Sequence, residues 1–205
     1  MALAITGITA YGVATSPNLL QMIFSSQLTF FGIIIAELAF VFLLIGRLNK
    51  MSLTTATLCF IAYSVLNGVT MASIFLAYTL SSIASTFFIT AGTFGVMSLI
   101  GYTTKSDLTS MGKLLIMALI GIIIATIVNM FVGSSTLNLF ISYAGVLIFV
   151  GLTAYDTQKI KFMLAQCTDM GEGAQKLSLI GALTLYLDFI NLFIYLLRIL
   201  GARRD

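Results

Sequence analysis

Residues 177–200, LSLIGALTLYLDFINLFIYLLRIL, decide what kind of chain this is. A hydrocarbon core about 30 Å thick takes about 20 apolar residues in a helix. This stretch is long enough, yet it carries an aspartate, Asp188, near its middle. An ionised aspartate at mid-membrane costs roughly 2.5 to 3.5 kcal/mol on insertion scales, so a chain that keeps one has neutralised it or uses it. On a helix of about 3.6 residues per turn, Thr184, Asp188, Asn191, Tyr195 and Arg198 fall within an arc of roughly 100°, and the other faces are Leu, Ile and Phe. Turned toward lipid, that stripe would leave Asp188 and Asn191 unsatisfied, which places the helix at the centre of a bundle.

Outward from this stretch the composition is consistent with a membrane protein. Hydrophobic residues make up 60% of the 205 and charged residues 8%, against about a quarter charged in an average soluble domain. Mean hydropathy is +1.10. Seven stretches qualify or nearly qualify as spans: 2–14, 28–46, 53–78, 82–102, 114–132, 139–158 and 177–200. The fold class expected is therefore all-α, a seven-transmembrane-helix bundle with its last helix central, forming a single transmembrane domain over 1–205. A β-barrel fits less well, because the apolar runs are long and continuous rather than short and alternating. The first stretch is short and reads as a minimal first helix rather than a signal peptide, having no cationic leader and no small-residue cleavage site. Gly121 with Ala125, and Ala91 with Gly95, have the spacing that lets helices approach closely in lipid.

Several chemistries are excluded by residue type. There are no histidines, which removes imidazole-ligated haem and zinc, Ser-His and Cys-His nucleophilic sites, and histidine proton relays. Cys59 and Cys167 lie far apart with no partner at metal-ligand spacing and read as unpaired thiols. The net charge of +3 comes from basic residues placed singly at the ends of apolar stretches and gives no reason to expect nucleic acid.

Those basic residues set the orientation, because Lys and Arg accumulate in cytoplasmic loops. Arg47 and Lys50 lie in the second connection, Lys105 and Lys113 in the fourth, and Lys159, Lys161 and Lys176 in the sixth. The N-terminus is then cytoplasmic. Seven spans put the C-terminus outside, with Arg198, Arg203 and Arg204 at that end. A re-entrant last segment would return them to the cytoplasm, but residues 185–200 contain no Gly or Pro at which a hairpin could turn, so a full span is expected.

Two further acids lie in apolar surroundings. Asp156 follows the run ending at Ala154, three residues before Lys159, and could be a boundary residue paired with that lysine. If Lys159 and Lys176 both marked the membrane surface, Asp156 and Asp188 would differ in depth by roughly 13 Å. Contact between them requires the last helix to begin well inside the cytoplasm. Glu37 stands alone among apolar residues 33–42, too far along the helix from Arg47 to pair with it, and Asn67 and Asn129 are candidate partners on other spans.

As strings, VGLTAYDTQKIK (150–161), GALTLYLDFINLFIYLLRILG (181–201) and STFFITAGTFGVMSLIGYTTK (85–105) are similar to the Bax inhibitor-1, or transmembrane Bax inhibitor motif, family, and in particular to its bacterial branch. The resemblance runs from about residue 28 to 204. Members usually have a soluble tail and a full first helix before the position of Met1. The resemblance implies seven helices with the last surrounded by the other six. It implies that Asp156 and Asp188 form a hydrogen-bonded pair that senses pH for a calcium leak, that Arg47 latches the closed state, and that Glu37 serves the cation path. It also implies a multi-pass protein of the bacterial inner membrane. The expected function is thus a pH-sensitive calcium leak with no cofactor and no enzymatic activity. Calcium and protons are its expected ions, the lipid bilayer its surroundings, and a membrane protein a further candidate partner. The physics is compatible. Two carboxylates sharing a site titrate as a pair, a one-charge change can bias a two-state helix arrangement, and Ca²⁺ takes oxygen ligands, which Asp156 and Asp188 could offer.

Two other functions compete. Intramembrane aspartyl proteases also place Tyr-Asp on one span and Asp on the next, but Leu185-Tyr186-Leu187 replaces their Gly-x-Gly, and no Pro-Ala-Leu follows. A retinal protein would need a lysine in the last span, which has none. The stronger alternative is a non-transporting membrane modulator that binds a protease or a cell-death or stress factor.

Overall fold

The computed structural model describes residues 1–47, 50–167 and 171–204, without the side chains of 27, 30 and 31. Among them the chain is helical throughout: α1 (Ala2–Ala14), α2 (Pro17–Phe24), α3 (Gln27–Arg47), α4 (Leu53–Ala77), α5 (Leu80–Thr103), α6 (Thr109–Val132), α7 (Ser135–Ala165) and α8 (Glu172–Leu200). Five of these, α4 to α8, are long and apolar enough to cross a membrane. α1 is a shorter apolar helix, and α3 runs for 21 residues. Each of the seven expected stretches falls on a helix, and among the described residues five of those helices have the length and composition of a span. The sequence reading did not separate out α2. Its signal was Ser16 at the N-cap followed by Pro17 in the first turn, where a missing N–H costs nothing and the fixed φ suits a helix.

Helix ends follow local chemistry. Ser52 Oγ accepts from Thr55 N at 3.2 Å to open α4, and Ser134 Oγ does the same from Leu137 N to open α7. α6 stops at Gly133, whose φ of 67° is a left-handed conformation that favours glycine. Asn129, a candidate partner for Glu37, is instead used there: its Oδ1 accepts from Ser134 N at 3.0 Å.

The chain divides into two compact units. The first comprises residues 1–80, 169–180 and 203–205. Within it α1 lies along α4. Thr6 Oγ1 donates to Ser64 O at 3.0 Å, and a methyl group on Gly68 would sit 2.7 Å from Thr6 O. Val13, Ile23 and Ala72 form its small apolar core. Lys176 and Glu172 pair at 2.9 Å on the first turn of α8. Tyr78 and Arg203 form an isolated bridge, and Arg204 N donates to Ala77 O at 3.0 Å.

The second unit comprises residues 81–168 and 181–202, and holds α5, α6, α7 and most of α8. Its core is Ile122, Ile148, Phe149, Leu152 and the fully buried Leu192. Phe189 of α8 meets Phe87 and Phe94 of α5 edge to face, each pair with centroids 5.5 Å apart. The spans differ in how interior they are. Of the most apolar window, 44% is buried in both α7 and α8, against 6% in α6.

Close helix approaches occur at glycines other than those the spacing suggested. Added methyl groups at Gly95 and Gly121 meet nothing within 4 Å. At Gly101 the methyl would lie 2.2 Å from Ala154 O, at Gly112 2.5 Å from the Tyr155 ring, and at Gly145 2.7 Å from the Tyr195 ring. Small-residue spacing marks a face that can pack; it does not say which face the neighbouring helix takes.

Candidate functional site: a carboxyl pair in the apolar interior

α8 is one unbroken helix from Glu172 to Leu200, as expected of a segment without Gly or Pro at its centre. Its buried residues include Leu183, Tyr186, Phe189, Ile190, Leu192 and Phe193, so protein covers it on several sides. Of the polar stripe, Asp188 is buried, Thr184, Asn191 and Tyr195 are half-buried, and Arg198 is exposed. Asn191 Nδ2 donates to Leu187 O of its own helix at 2.8 Å, and the Arg198 guanidinium lies 5.4 Å from the Tyr195 ring centroid.

α7 runs well past the end expected for it. It continues to Ala165, so Lys159 and Lys161 lie on the helix rather than marking its exit. Together with an α8 that starts at Glu172, this narrows the offset between the two aspartates, counted from the facing helix ends, to roughly 10 Å. Their carboxyl groups face each other across α7 and α8. Asp156 is 9% exposed and Asp188 5%.

Two hydroxyls flanking Asp156 on α7 are committed to the main chain. Thr153 and Thr157 spend their hydroxyls on Phe149 O and Thr153 O, each at 2.7 Å. Lys159 is exposed with its ammonium 5.8 Å from the Tyr155 ring centroid, and it makes no salt bridge with Asp156. Asp188 Oδ2 is buried and has no hydrogen-bond partner among the described residues. Buried polar atoms are nearly always satisfied, and an exception calls for a ligand, a water or a functional reason. Among the described residues no three His, Cys, Asp or Glu side chains cluster as a metal site would need. Ca²⁺ takes six to eight oxygens, more than the two carboxyl groups offer.

Glu37 lies in the first unit, half-buried on α3. Asn67 Nδ2 donates to its Oε1, and Thr70 Oγ1 to its Oε2 at 2.8 Å. Asn67 Oδ1 is buried and has no partner among the described residues. Thr70 had escaped notice in the sequence, although it stands three residues after Asn67 and so on the same helical face. Removing it tests the arrangement: Thr70→Val should destabilise the protein by about 1 kcal/mol, since the hydrogen bond to the Glu37 carboxyl group is lost while volume is kept. Thermal unfolding of the two proteins in the same detergent reads this. Arg47 is the last residue of α3, is exposed, and makes no ion pair among the described residues.

Relatives carry the same chain nearly end to end. The family described as Inhibitor of apoptosis-promoting Bax1 matches residues 1–205. The "Inner membrane protein YbhL" of Escherichia coli strain K12 is 50% identical over 203 residues, covering 98% of this chain and 87% of that protein. An uncharacterized protein of Borreliella burgdorferi is 51% identical over 203 residues, covering 99% and 88%. Protein RP147 of Rickettsia prowazekii, also uncharacterized, is 46% identical over 207 residues, covering 100% and 86%. With the family match spanning every residue and half the positions shared with an inner membrane protein, the chain belongs to the Bax inhibitor-1 family of membrane proteins.

Proposed function

We propose that this protein is a pH-sensitive calcium leak of the bacterial inner membrane, in which the Asp156–Asp188 pair senses protons and Arg47 latches the closed state. The observation that carries the reading is the meeting of two buried carboxyl groups inside an apolar helical unit. Like charges this close cannot both form cheaply, so the pair holds one proton over a range of pH and titrates as a unit. Gain or loss of that proton in low dielectric changes the balance between two helix arrangements. Calcium is the cargo. Asp156, Asp188 and Glu37 supply oxygen ligands along its path, and the unpartnered Asp188 Oδ2 is free to meet a cation.

The protein has its N-terminus and Lys105 and Lys159 on the cytoplasmic side, following the Lys and Arg asymmetry. The C-terminal tail joins the α4–α5 connection, since Arg203 bridges Tyr78 and Ala202 N donates to Ser82 Oγ at 3.0 Å. Both therefore share a side of the membrane, the external one. A cysteine placed at Ala202 should be labelled by an impermeant reagent from outside intact cells, and one at Ser106 only after the membrane is opened. Labelling of both from one side sinks this topology.

The direct test is flux through the purified protein in vesicles loaded with a calcium dye. Calcium entry above that of protein-free vesicles supports the leak. Entry equal to that background favours the second reading, a modulator that works only through a membrane partner.

A further inference from the structure

The turn of α7 that carries Asp156 is held by contacts in which the carboxyl group takes no part. Ala154 seats against Gly101 of α5, the Tyr155 ring against Gly112 of α6, and Ile160 against Gly181 of α8. Among them stands Gln158, only 4% exposed. Both ends of its amide go to the main chain of the α5–α6 connection: Nε2 donates to Ser106 O at 2.9 Å, and Oε1 accepts from Leu108 N at 2.9 Å. Lys161 adds a third tie, donating to Tyr102 O at 2.6 Å with its ammonium 4.8 Å from the Tyr102 ring centroid.

The connection is itself braced. Asp107 Oδ1 accepts from Thr109 N at 2.9 Å, and the Thr109 hydroxyl and N–H together hold the Asp107 carboxyl below its ordinary range. Leu108, at the start of α6, offers no side-chain cap, so Gln158 occupies an N–H that the helix end leaves open. Gln158 follows Asp156 by two positions, which is roughly 200° around the helix. Its pull therefore acts on the side of α7 away from the carboxyl. A buried amide with both ends committed is costly to release, because each group left unpaired loses its solvation.

We propose that Gln158 is a positioning residue for the carboxyl pair: by clamping the α5–α6 connection to the far side of α7, it fixes the rotation that brings Asp156 to Asp188. The connection is then the segment that must shift when the pair separates. The geometric claim stands whether or not the protein passes calcium; its consequence for gating rests on the leak reading.

Disulfide trapping tests it without using flux. In a Cys59→Ser, Cys167→Ser background, Asp156→Cys and Asp188→Cys report how often α7 and α8 present these positions to each other, free of any attraction between carboxyls. Disulfide closure needs Cβ atoms within about 4.5 Å, so its rate under mild oxidant is sensitive to helix rotation. Gln158→Met, which keeps the volume and loses both bonds, should slow closure about three- to tenfold, the factor that one or two such hydrogen bonds amount to. Leu108→Pro removes the N–H from the loop side and should slow it too, and Gln158→Glu, which keeps the acceptor, should fall between. Phe87→Leu weakens the packing on Phe189 while leaving the clamp whole, and should lower Tm without changing the rate. Unchanged closure in Gln158→Met and Leu108→Pro overturns the proposal. So does slowing that follows Tm equally in Phe87→Leu. A silent flux assay in every variant would defeat the leak reading alone and leave the closure rates to decide this one.

Discussion

Gly101→Ala is expected to destabilise the protein by about 2 to 3 kcal/mol, in the upper part of the range for overpacking a filled interior. The added methyl group would lie 2.2 Å from Ala154 O and 2.8 Å from both Ala154 C and Cα. These are backbone atoms of a neighbouring helix, so no side chain can swing aside and α5 and α7 must separate. Gly145→Ala meets the Tyr195 ring at 2.7 Å, which can tilt, and should cost about 1 kcal/mol. Gly95→Ala meets nothing and should stabilise slightly, by up to about 1 kcal/mol, because alanine is the better helix former. Thermal unfolding in one detergent checks the order. A Gly101 variant as stable as the Gly95 variant would mean that α5 and α7 do not touch at Ala154.

Arg47→Ala should raise basal calcium leak about tenfold, the change that 1.4 kcal/mol of coupling produces. The reasoning is electrostatic as well as steric. A guanidinium at the end of α3 repels a divalent cation twice as strongly as a monovalent one, and its removal lowers that barrier. Because Arg47 is exposed, salt screens it, and the gap between wild type and variant should narrow as ionic strength rises past the point where the Debye length is about 8 Å. Arg47→Lys keeps the charge but not the planar fork. If it leaks like wild type, charge is the operative property; if it leaks like Arg47→Ala, bidentate hydrogen bonding is. Equal basal leak in wild type and Arg47→Ala would remove the latch from the mechanism.

Membrane character and the burial of Asp188 were legible in residues 177–200, because a single stripe holding Asp188 and Asn191 has only one affordable direction. The meeting of Asp156 with Asp188 was not legible from spacing. Lys159 looks like a surface marker in the string, yet α7 runs on to Ala165, and charge alone does not say where a helix stops when its lysines can lie over tyrosine rings, as Lys159 and Lys161 do. It was family resemblance that put the two aspartates together. Gln158 escaped for a related reason. A single glutamine near a helix end reads as solvated, and only the loop folded against it shows that both its groups are taken. The partner of Glu37 was half legible: Asn67 could be named in advance, but only the fold separates it from Asn129, which closes the turn after α6.

The central claim is that the carboxyl pair sets the pH response of a calcium leak. The measurement that tests it most directly is calcium flux against pH through purified protein in vesicles, for wild type, Asp156→Asn and Asp188→Asn side by side. Wild type should show flux that changes steeply with pH over the range in which the pair exchanges its proton. Each variant keeps one carboxyl and loses the like charge that makes the two titrate as a unit, so both profiles should be flat or displaced relative to wild type. Three superimposable profiles would contradict the account and leave Asp156 and Asp188 as structural acids holding α7 to α8.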